Sequence, residues 1–300
     1  TQAETLLKAY LDYLEVEKNR SLHTRANYGR YLKRFLAITA IRTVRDITPR
    51  AVTSFRLALA RARGREGEPL KKITQGYHVI ALRNFLRFLA RRGYRTFNPD
   101  MIELPKIPER QIELLSYEEL ERLMRAPSPD TLRGIRDGAI LELLFSTGLR
   151  IAELCRLDRF LDLGRGEVTI RGKGGKLRIV FLSHRARHAL KRWLERRTDT
   201  EEPLFVSAMR NGRIIGGITP RAIQRMMQFY ARKAGIAGKK VTPHSLRHQF
   251  ATDLLINGAD LRSVQELLGH RSIATTQIYT HLTNKELHEV HLAFHGKRRR

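Results

Sequence analysis

The sequence is poor in the residues that build redox and metal–thiolate centres. Cysteine occurs once, at Cys155, so no disulfide can form within the chain and redox or zinc–thiolate chemistry is excluded. Because Cys155 lies in the apolar run IAELCRL, we expect a buried structural thiol rather than a nucleophile. A lone cysteine also fits a reducing compartment, and we expect a cytoplasmic protein.

Long apolar segments are missing as well. The chain has no run of about 18 apolar residues, which is the minimum for a membrane-spanning helix. Secretory signals and lipidation motifs are also absent from the sequence. The sequence therefore predicts no membrane partner.

Acidic residues are scarce relative to basic ones. The chain holds 57 Lys and Arg against 30 Asp and Glu, a formal net charge of +27. Such an excess repels itself in a compact protein, so it indicates a polyanionic partner. Nucleic acid is the first candidate, because neutralised phosphates release condensed counterions. A membrane surface is disfavoured, because binding to it would need an amphipathic helix or a lipid anchor. A basic surface that only solubilises the chain is the remaining alternative.

What is present divides into two domains. Residues 1–97 show four stretches of helical apolar periodicity, which predict a small helical bundle. Segment 98–112 contains three prolines, which forbid a continuous helix, so we expect an interdomain linker. Residues 1–106 carry a formal charge of +13 and the remainder +14. Two basic domains that both bind one DNA duplex explain this even distribution of charge better than a basic tail on an otherwise neutral enzyme.

Residues 113–300 predict an α-rich second domain with one small antiparallel hairpin. Alternating residues on both sides of a Gly-rich turn place the hairpin at about 166–182. Caps and apolar periodicity predict helices at about 116–126, 132–157, 184–197, 220–234, 243–257, 261–268, 273–280 and 284–293.

Near the C-terminus, TPHSLRHQFATDLL places basic side chains at the start of a helix. His244, Arg247 and His248 are spaced i, i+3, i+4 and so project from one face of the first turns. The helix dipole favours an anion at this end, and with the cationic side chains it makes a phosphate site. A solvated face, or a partnered core histidine, is the alternative.

Two histidines four residues apart also raise the possibility of zinc. The zinc-protease pattern requires Glu directly after the first His, whereas Ser245 stands there. No nearby carboxylate or thiol cluster supplies further ligands. We therefore expect no metal.

Four further residues are candidates for a functional site, although each is a weak candidate when considered alone. Arg150 lies between a glycine and an apolar helix, where a buried guanidinium would need an anionic partner. Lys173 lies on the Gly-rich hairpin turn, where it is either solvated or able to reach a DNA groove. His270 follows Gly269, which fits a helix C-terminus. Tyr279 lies on a short helix, where a tyrosine is usually part of a core.

Taken together, these segments resemble the tyrosine recombinase (phage integrase) family, and most of all its bacterial Xer members. The resemblance runs from about Leu6 to Phe294 and rests on five motifs in the family's order: STGLRIAEL, GKGGKLR, TPHSLRHQFATDLL, LLGH and TTQIYTH. Phe160, Phe181 and Asp253 depart from the usual pattern, but they lie outside the motif residues that would act in catalysis.

The resemblance implies a mainly α fold, with a four-helix SAM-like core-binding domain before an α-rich (α+β) catalytic domain that holds a small antiparallel sheet. It also implies transesterification without metal or cofactor. Tyr279 would be the nucleophile that forms a 3′-phosphotyrosyl link, and Lys173 the general acid. The remaining motif residues would act on the phosphate or its protons: Arg150, Arg247, His244 and His270.

The implied partners are a double-stranded DNA recombination site and three further recombinase protomers, in a tetramer on two sites, with or without a paralogue. Dimer resolution of chromosomes or plasmids, which serves chromosome partition at cell division, is the expected process. The alternatives are a mobile-element integrase, a type IB topoisomerase-like enzyme and a non-catalytic DNA-binding protein.

Overall fold

In the computed structural model, the chain forms two compact units, Thr1–Arg110 and Gln111–Arg300. The structure describes residues 1–64, 67–105, 113–172, 175, 177–209 and 213–269. The predicted helices at 273–280 and 284–293, and part of the predicted linker at 98–112, lie outside these residues. Among the described residues, no helix is long and apolar enough to cross a membrane.

The first unit is built from the four helices that the sequence predicts. Side-chain caps explain where three of them begin: Thr1 and Glu4 form a capping box, Ser21 accepts from the Thr24 amide, and Thr48 precedes a proline. The helices are α1 (Gln2–Val16), α2 (Leu22–Thr39), α3 (Pro49–Arg61) and α4 (Lys72–Arg91).

Aromatic side chains fill the core of this bundle. Phe35 and Phe55 meet edge to face with their ring centroids 5.0 Å apart, and Tyr10 lies 5.3 Å from Phe85. After α4, a short 3-10 helix at Pro99–Met101 begins inside the predicted linker. Arg83 and Arg87 of α4 both bind Asp100, at 3.1 and 2.6 Å, so this part of the segment is tied to the first unit.

The second unit surrounds a larger core with seven described helices and two small sheets. The helices are α5 (Tyr117–Arg125), α6 (Leu132–Thr147), α7 (Ile151–Leu154), α8 (His184–Arg196), α9 (Pro220–Lys233), α10 (Pro243–Ile256) and α11 (Leu261–Leu268). The strands are β1 (Glu167–Arg171), β2 (Leu177–Phe181), β3 (Val206–Ala208) and β4 (Ile214–Gly217).

The helix predicted over 132–157 is interrupted, and that prediction is wrong in the interval between α6 and α7. Gly148 ends α6 with a left-handed φ of +58°. A Cβ at Gly148 would lie 2.4 Å from Cδ1 of Phe250 on α10. Packing of Phe250 therefore requires glycine at position 148. The left-handed conformation of Gly148 ends α6, and α7 begins soon after with Arg150 as its N-cap.

The β1–β2 hairpin is antiparallel, with Arg171 opposite Leu177 at the turn. It confirms the strands predicted over 166–182. The second sheet, β3 with β4, was not predicted from the sequence. Its strands are only three and four residues long, and β4 ends in two glycines, so no clear alternation marks them.

Candidate active site

Helix α10 places two of the candidate residues. Thr242 caps the helix by accepting from the Ser245 amide at 3.2 Å, while Ser245 Oγ accepts from the Thr242 amide at 3.1 Å. This exchange sets the first turn, so His244 lies exposed near the helix start. Arg247 lies one turn further along and is only 4% exposed. The two residues therefore share a helix end but differ in their access to solvent.

The buried guanidinium of Arg247 joins two helix ends. It donates from Nη1 to the carbonyl oxygen of Gly148, at the end of α6, and from Nη2 to that of Leu268, at the end of α11, over 2.6 Å. Terminal carbonyl groups of a helix lack partners within the helix and carry partial negative charge. Arg247 therefore meets the condition that a buried charge must be hydrogen-bonded.

Arg150 is held by a carboxylate that the sequence reasoning missed. Glu153 Oε2 accepts from the Arg150 amide at 2.8 Å, and Oε1 accepts from Arg150 Nη1 at 2.9 Å. Arg150 Nη2 also donates to the carbonyl oxygen of Gly269 over 3.2 Å. The predicted anionic partner of Arg150 is thus Glu153, whose position three residues further on in STGLRIAEL was the available signal.

A second missed residue, Arg178 on β2, completes the same cluster. Its Nη1 and Nη2 donate to the two carboxylate oxygens of Glu153 at 2.9 and 2.7 Å. Burial alone would raise the pKa of Glu153, which is 6% exposed. Hydrogen bonds from Arg178 and Arg150 outweigh that effect and lower the pKa to about 2. Glu153 is therefore ionised at neutral pH.

Three arginines converge on the carboxyl end of α11. Arg178 Nε donates to the carbonyl of Leu267 at 3.1 Å, next to the carbonyls of Leu268 and Gly269 that accept from Arg247 and Arg150. Arg150 and Arg247 thus bind the carbonyl oxygens of two successive residues, Gly269 and Leu268. We call Arg150 and Arg247 the arginine pair.

Three predicted site residues lie outside the described residues. Lys173 belongs to the connection between β1 and β2, His270 follows Gly269 directly, and Tyr279 lies further on in the sequence. The structure therefore brings Arg150 and Arg247 together, with His244 on the same helix as Arg247, and leaves the placement of the other three as a prediction.

Two expectations about other chemistry can be compared with the described part of the chain. There, no group of three or more His, Cys, Asp or Glu side chains could hold a metal ion. Cys155 is half-buried rather than fully buried. Desolvation raises the pKa of its thiol to about 11, so it stays protonated at neutral pH and is a poor nucleophile.

The arrangement is suited to an anion that carries charge on two oxygens. Guanidiniums held by carbonyls and a carboxylate present fixed N–H donors, and such prearranged donors stabilise charge that develops in a transition state. The N-terminus of α10, with the exposed His244, adds the favourable end of a helix dipole.

Comparison with known proteins decides the family. The Phage integrase family model matches residues 113–286, and the model of the phage integrase N-terminal SAM-like domain matches residues 7–93. The chain belongs to the phage integrase family. It is thus a tyrosine recombinase, a DNA strand transferase, and the expected family, fold class and enzyme class are confirmed.

Relatives within the phage integrase family match over nearly the full chain. Tyrosine recombinase XerC of Pelobacter propionicus is 39% identical over 297 residues, which are 98% of this chain and 96% of the relative. The crystal structure of XerA recombinase is 33% identical with a TM-score of 0.54, covering 98% of this chain and 99% of that one. XerH recombinase bound to its difH substrate before cleavage shares the fold, at 23% identity, TM-score 0.68, and 93% and 82% coverage.

Proposed function

We propose that this chain cuts and rejoins double-stranded DNA at a specific site through a 3′-phosphotyrosyl intermediate on Tyr279. The observation that carries the proposal is the arginine pair, which is fixed to the carboxyl end of α11 directly before His270. Both guanidiniums are held by hydrogen bonds to fixed backbone carbonyls, which suits them to bind one phosphate. Both halves of the chain are strongly basic, which supports phosphate contacts along a duplex.

The proposed reaction is a transesterification in which the number of phosphodiester bonds is conserved. The phenol oxygen of Tyr279 attacks the scissile phosphorus, and His244 assists removal of its proton. The bond to the 5′-oxygen breaks, and Lys173 protonates this leaving group. In the reverse step, a 5′-hydroxyl attacks the phosphotyrosine and releases Tyr279, so ligation requires no external energy source.

The arginine pair acts on the non-bridging oxygens throughout this reaction. Arg150 and Arg247 neutralise the charge that accumulates on these oxygens in the pentacoordinate transition state, and His270 donates a further hydrogen bond. Because the guanidiniums are already held by Glu153, Gly148 and the carboxyl end of α11, little reorganisation is needed when the phosphate binds.

The biological process is proposed from the relatives. XerC and XerA are the names of relatives at 39% and 33% identity, which supports Xer-type resolution of chromosome or plasmid dimers in the cytoplasm over mobile-element integration. Exchange of strands between two duplexes needs four active sites, so we propose a tetramer on two DNA sites, made by this chain alone or with a paralogue. XerH is described with a bound recombination substrate, which supports the DNA partner.

The test uses a DNA site with a nick near the scissile phosphate, so that the cleaved strand is lost and the covalent adduct accumulates. Tyr279→Phe removes only the phenolic oxygen. It should bind the DNA normally and form no adduct that survives denaturation. Tyr117→Phe is the matched control, because Tyr117 is 72% exposed at the start of α5 and should form the adduct at the wild-type rate.

An adduct with the Tyr279→Phe protein would show that the nucleophile is misassigned. Relaxation of a supercoiled plasmid of random sequence, at the rate seen with the specific site, would favour the topoisomerase alternative. Site-specific DNA binding without any adduct from the wild-type chain would favour the non-catalytic alternative.

A further inference from the structure

Arg178 has no role in the proposed reaction, yet it connects three secondary-structure elements of the second unit. It lies on β2, five residues after Lys173 in the same hairpin. From there it binds Glu153 on α7 with two hydrogen bonds and the carbonyl of Leu267 on α11 with a third. One side chain therefore joins the hairpin, the residue that orients Arg150, and the helix that precedes His270.

The contacts use the particular shape of an arginine. Nη1 and Nη2 face the two oxygens of one carboxylate, while Nε points to a different acceptor. A lysine offers one ammonium group and cannot reproduce this planar fork. The side chain of Arg178 is 10% exposed, and its Cδ would lie 3.0 Å from a Cβ at Gly269. The guanidinium is thus enclosed, and the neighbouring backbone leaves it little freedom.

The contacts also link Arg178 to Arg150 through the carboxylate of Glu153. Glu153 receives Arg150 Nη1 and Arg178 Nη1 on the same oxygen, both at 2.9 Å. Both side chains also donate to backbone carbonyls at the carboxyl end of α11, Arg150 to Gly269 and Arg178 to Leu267. Loss of Arg178 would remove two of the four hydrogen bonds described for the Glu153 side chain, so the carboxylate that orients Arg150 would be held less firmly.

We propose that Arg178 is a positioning residue of the recombination reaction, which acts through Glu153 to hold Arg150 in its phosphate-binding orientation. In the same way it keeps the strand that follows Lys173 in fixed register with the arginine pair. The inference rests on the proposed function, because it assigns Arg178 a role only if Arg150 contacts the scissile phosphate.

The test is a double-mutant cycle between Arg178→Ala and Arg150→Ala, measured as single-turnover cleavage of the nicked site at saturating full-length protein. Arg178→Ala should slow cleavage about 10- to 100-fold, as small misplacements of catalytic groups do. Its DNA affinity should stay within about 2-fold of wild type, since many other phosphate contacts remain. In the Arg150→Ala background, Arg178→Ala should slow cleavage by less than a further factor of about 3, because Arg178 acts by positioning Arg150.

Two further variants separate positioning from a general loss of structure. Arg125→Ala removes an exposed arginine that is paired with Glu121 at 3.0 Å, and it should cleave like wild type. Arg178→Lys keeps a positive charge beside Glu153 and replaces Arg178→Ala in the cycle if the alanine variant does not fold. It should remain slow, because it loses the fork, although its thermal unfolding should stay close to that of wild type.

Three results would overturn the inference: wild-type cleavage by Arg178→Ala, equal losses from Arg178→Ala in both backgrounds, or full recovery with Arg178→Lys. The single variant Arg150→Ala tests the proposed function separately. Normal cleavage by that protein would refute the role of the arginine pair, whereas a slow Arg150→Ala beside a fast Arg178→Ala would refute only the role of Arg178.

Discussion

The guanidinium of Arg150 donates a hydrogen bond to the carbonyl oxygen of Gly269, 119 positions away in the sequence, over 3.2 Å. The contact ties the N-cap residue of α7 to the C-cap residue of α11.

Arg247→Ala should lower both stability and cleavage. The variant leaves the buried carbonyls of Gly148 and Leu268 without a charged donor, which should reduce the free energy of unfolding by about 2–4 kcal/mol. Cleavage should fall by about 10²–10³-fold, as loss of an oxyanion donor does. Urea unfolding and single-turnover cleavage measure the two effects.

Arg150→Ala is the comparison for that variant. The Arg150 side chain is 31% exposed, so its loss should cost less stability while cleavage falls by a similar factor. DNA affinity should change little in both proteins. A large loss of affinity with normal cleavage would mean that the arginine pair only binds DNA.

Glu153 should give the stability of the protein a specific pH dependence. Its pKa in the folded protein, about 2, lies below the ordinary value of 4.5. The ionised carboxylate therefore stabilises the fold fully above about pH 5, and this contribution is lost as the pH falls from 4.5 toward 2. Glu153→Gln removes it at every pH, so the difference in unfolding free energy between wild type and variant should be largest near neutral pH and shrink on acidification.

Urea unfolding of wild type and Glu153→Gln at a series of pH values measures this difference. Glu195→Gln, an exposed residue of α8 that lies 3.9 Å from Lys191, is the control and should follow the wild-type profile. A constant difference between wild type and Glu153→Gln across the acidic range would contradict the assigned ionisation.

Lys173→Ala should be rescued by a change in the DNA. If Lys173 protonates the leaving 5′-oxygen, a substrate with sulfur at that bridging position no longer needs the proton, because a thiolate leaves without one. The variant should therefore cleave ordinary DNA slowly and the sulfur substrate at nearly the wild-type rate. Lys176→Ala, three residues further along the sequence, is the control and should cleave both substrates to the same extent relative to wild type. Equal impairment of Lys173→Ala on both would indicate a groove contact instead.

The segment after Tyr279 should contribute to assembly. It lies outside the described residues and contains five apolar residues: Leu282, Leu287, Val290, Leu292 and Phe294. If the segment forms the short helix predicted from the sequence, that helix can dock in its own protomer or in a groove of a neighbour. We expect that ending the chain after Thr283 leaves binding to one site nearly intact, weakens synapsis of two sites and changes which strand is cut.

Mass photometry on one-site and two-site DNA, together with strand-specific cleavage, measures these effects. An unchanged tetramer yield and an unchanged cleavage pattern after truncation would place the segment in its own protomer.

Local patterns were sufficient for most of the secondary structure. The caps at Ser21, Thr48, Ser116 and Thr242 are hydrogen bonds between residues three apart, and the β1–β2 hairpin pairs strands across a short turn. These interactions depend on residues that are close together in the sequence, so local sequence patterns predict the caps and the hairpin. The predicted site roles of Arg150 and Arg247 came instead from the resemblance of whole motifs, in their order, to the family.

Only the tertiary structure decided how those two residues are held. Position 148 must be glycine because Phe250, far along the chain, fills the space of a Cβ. Arg178 meets Glu153 from 25 positions away and Leu267 from 89. Contacts between such distant residues leave no periodicity in the sequence, since their geometry follows from the packing of separate helices and strands. Sequence alone therefore determined which residues carry the charge, and packing determined which carbonyls and carboxylate hold it in place.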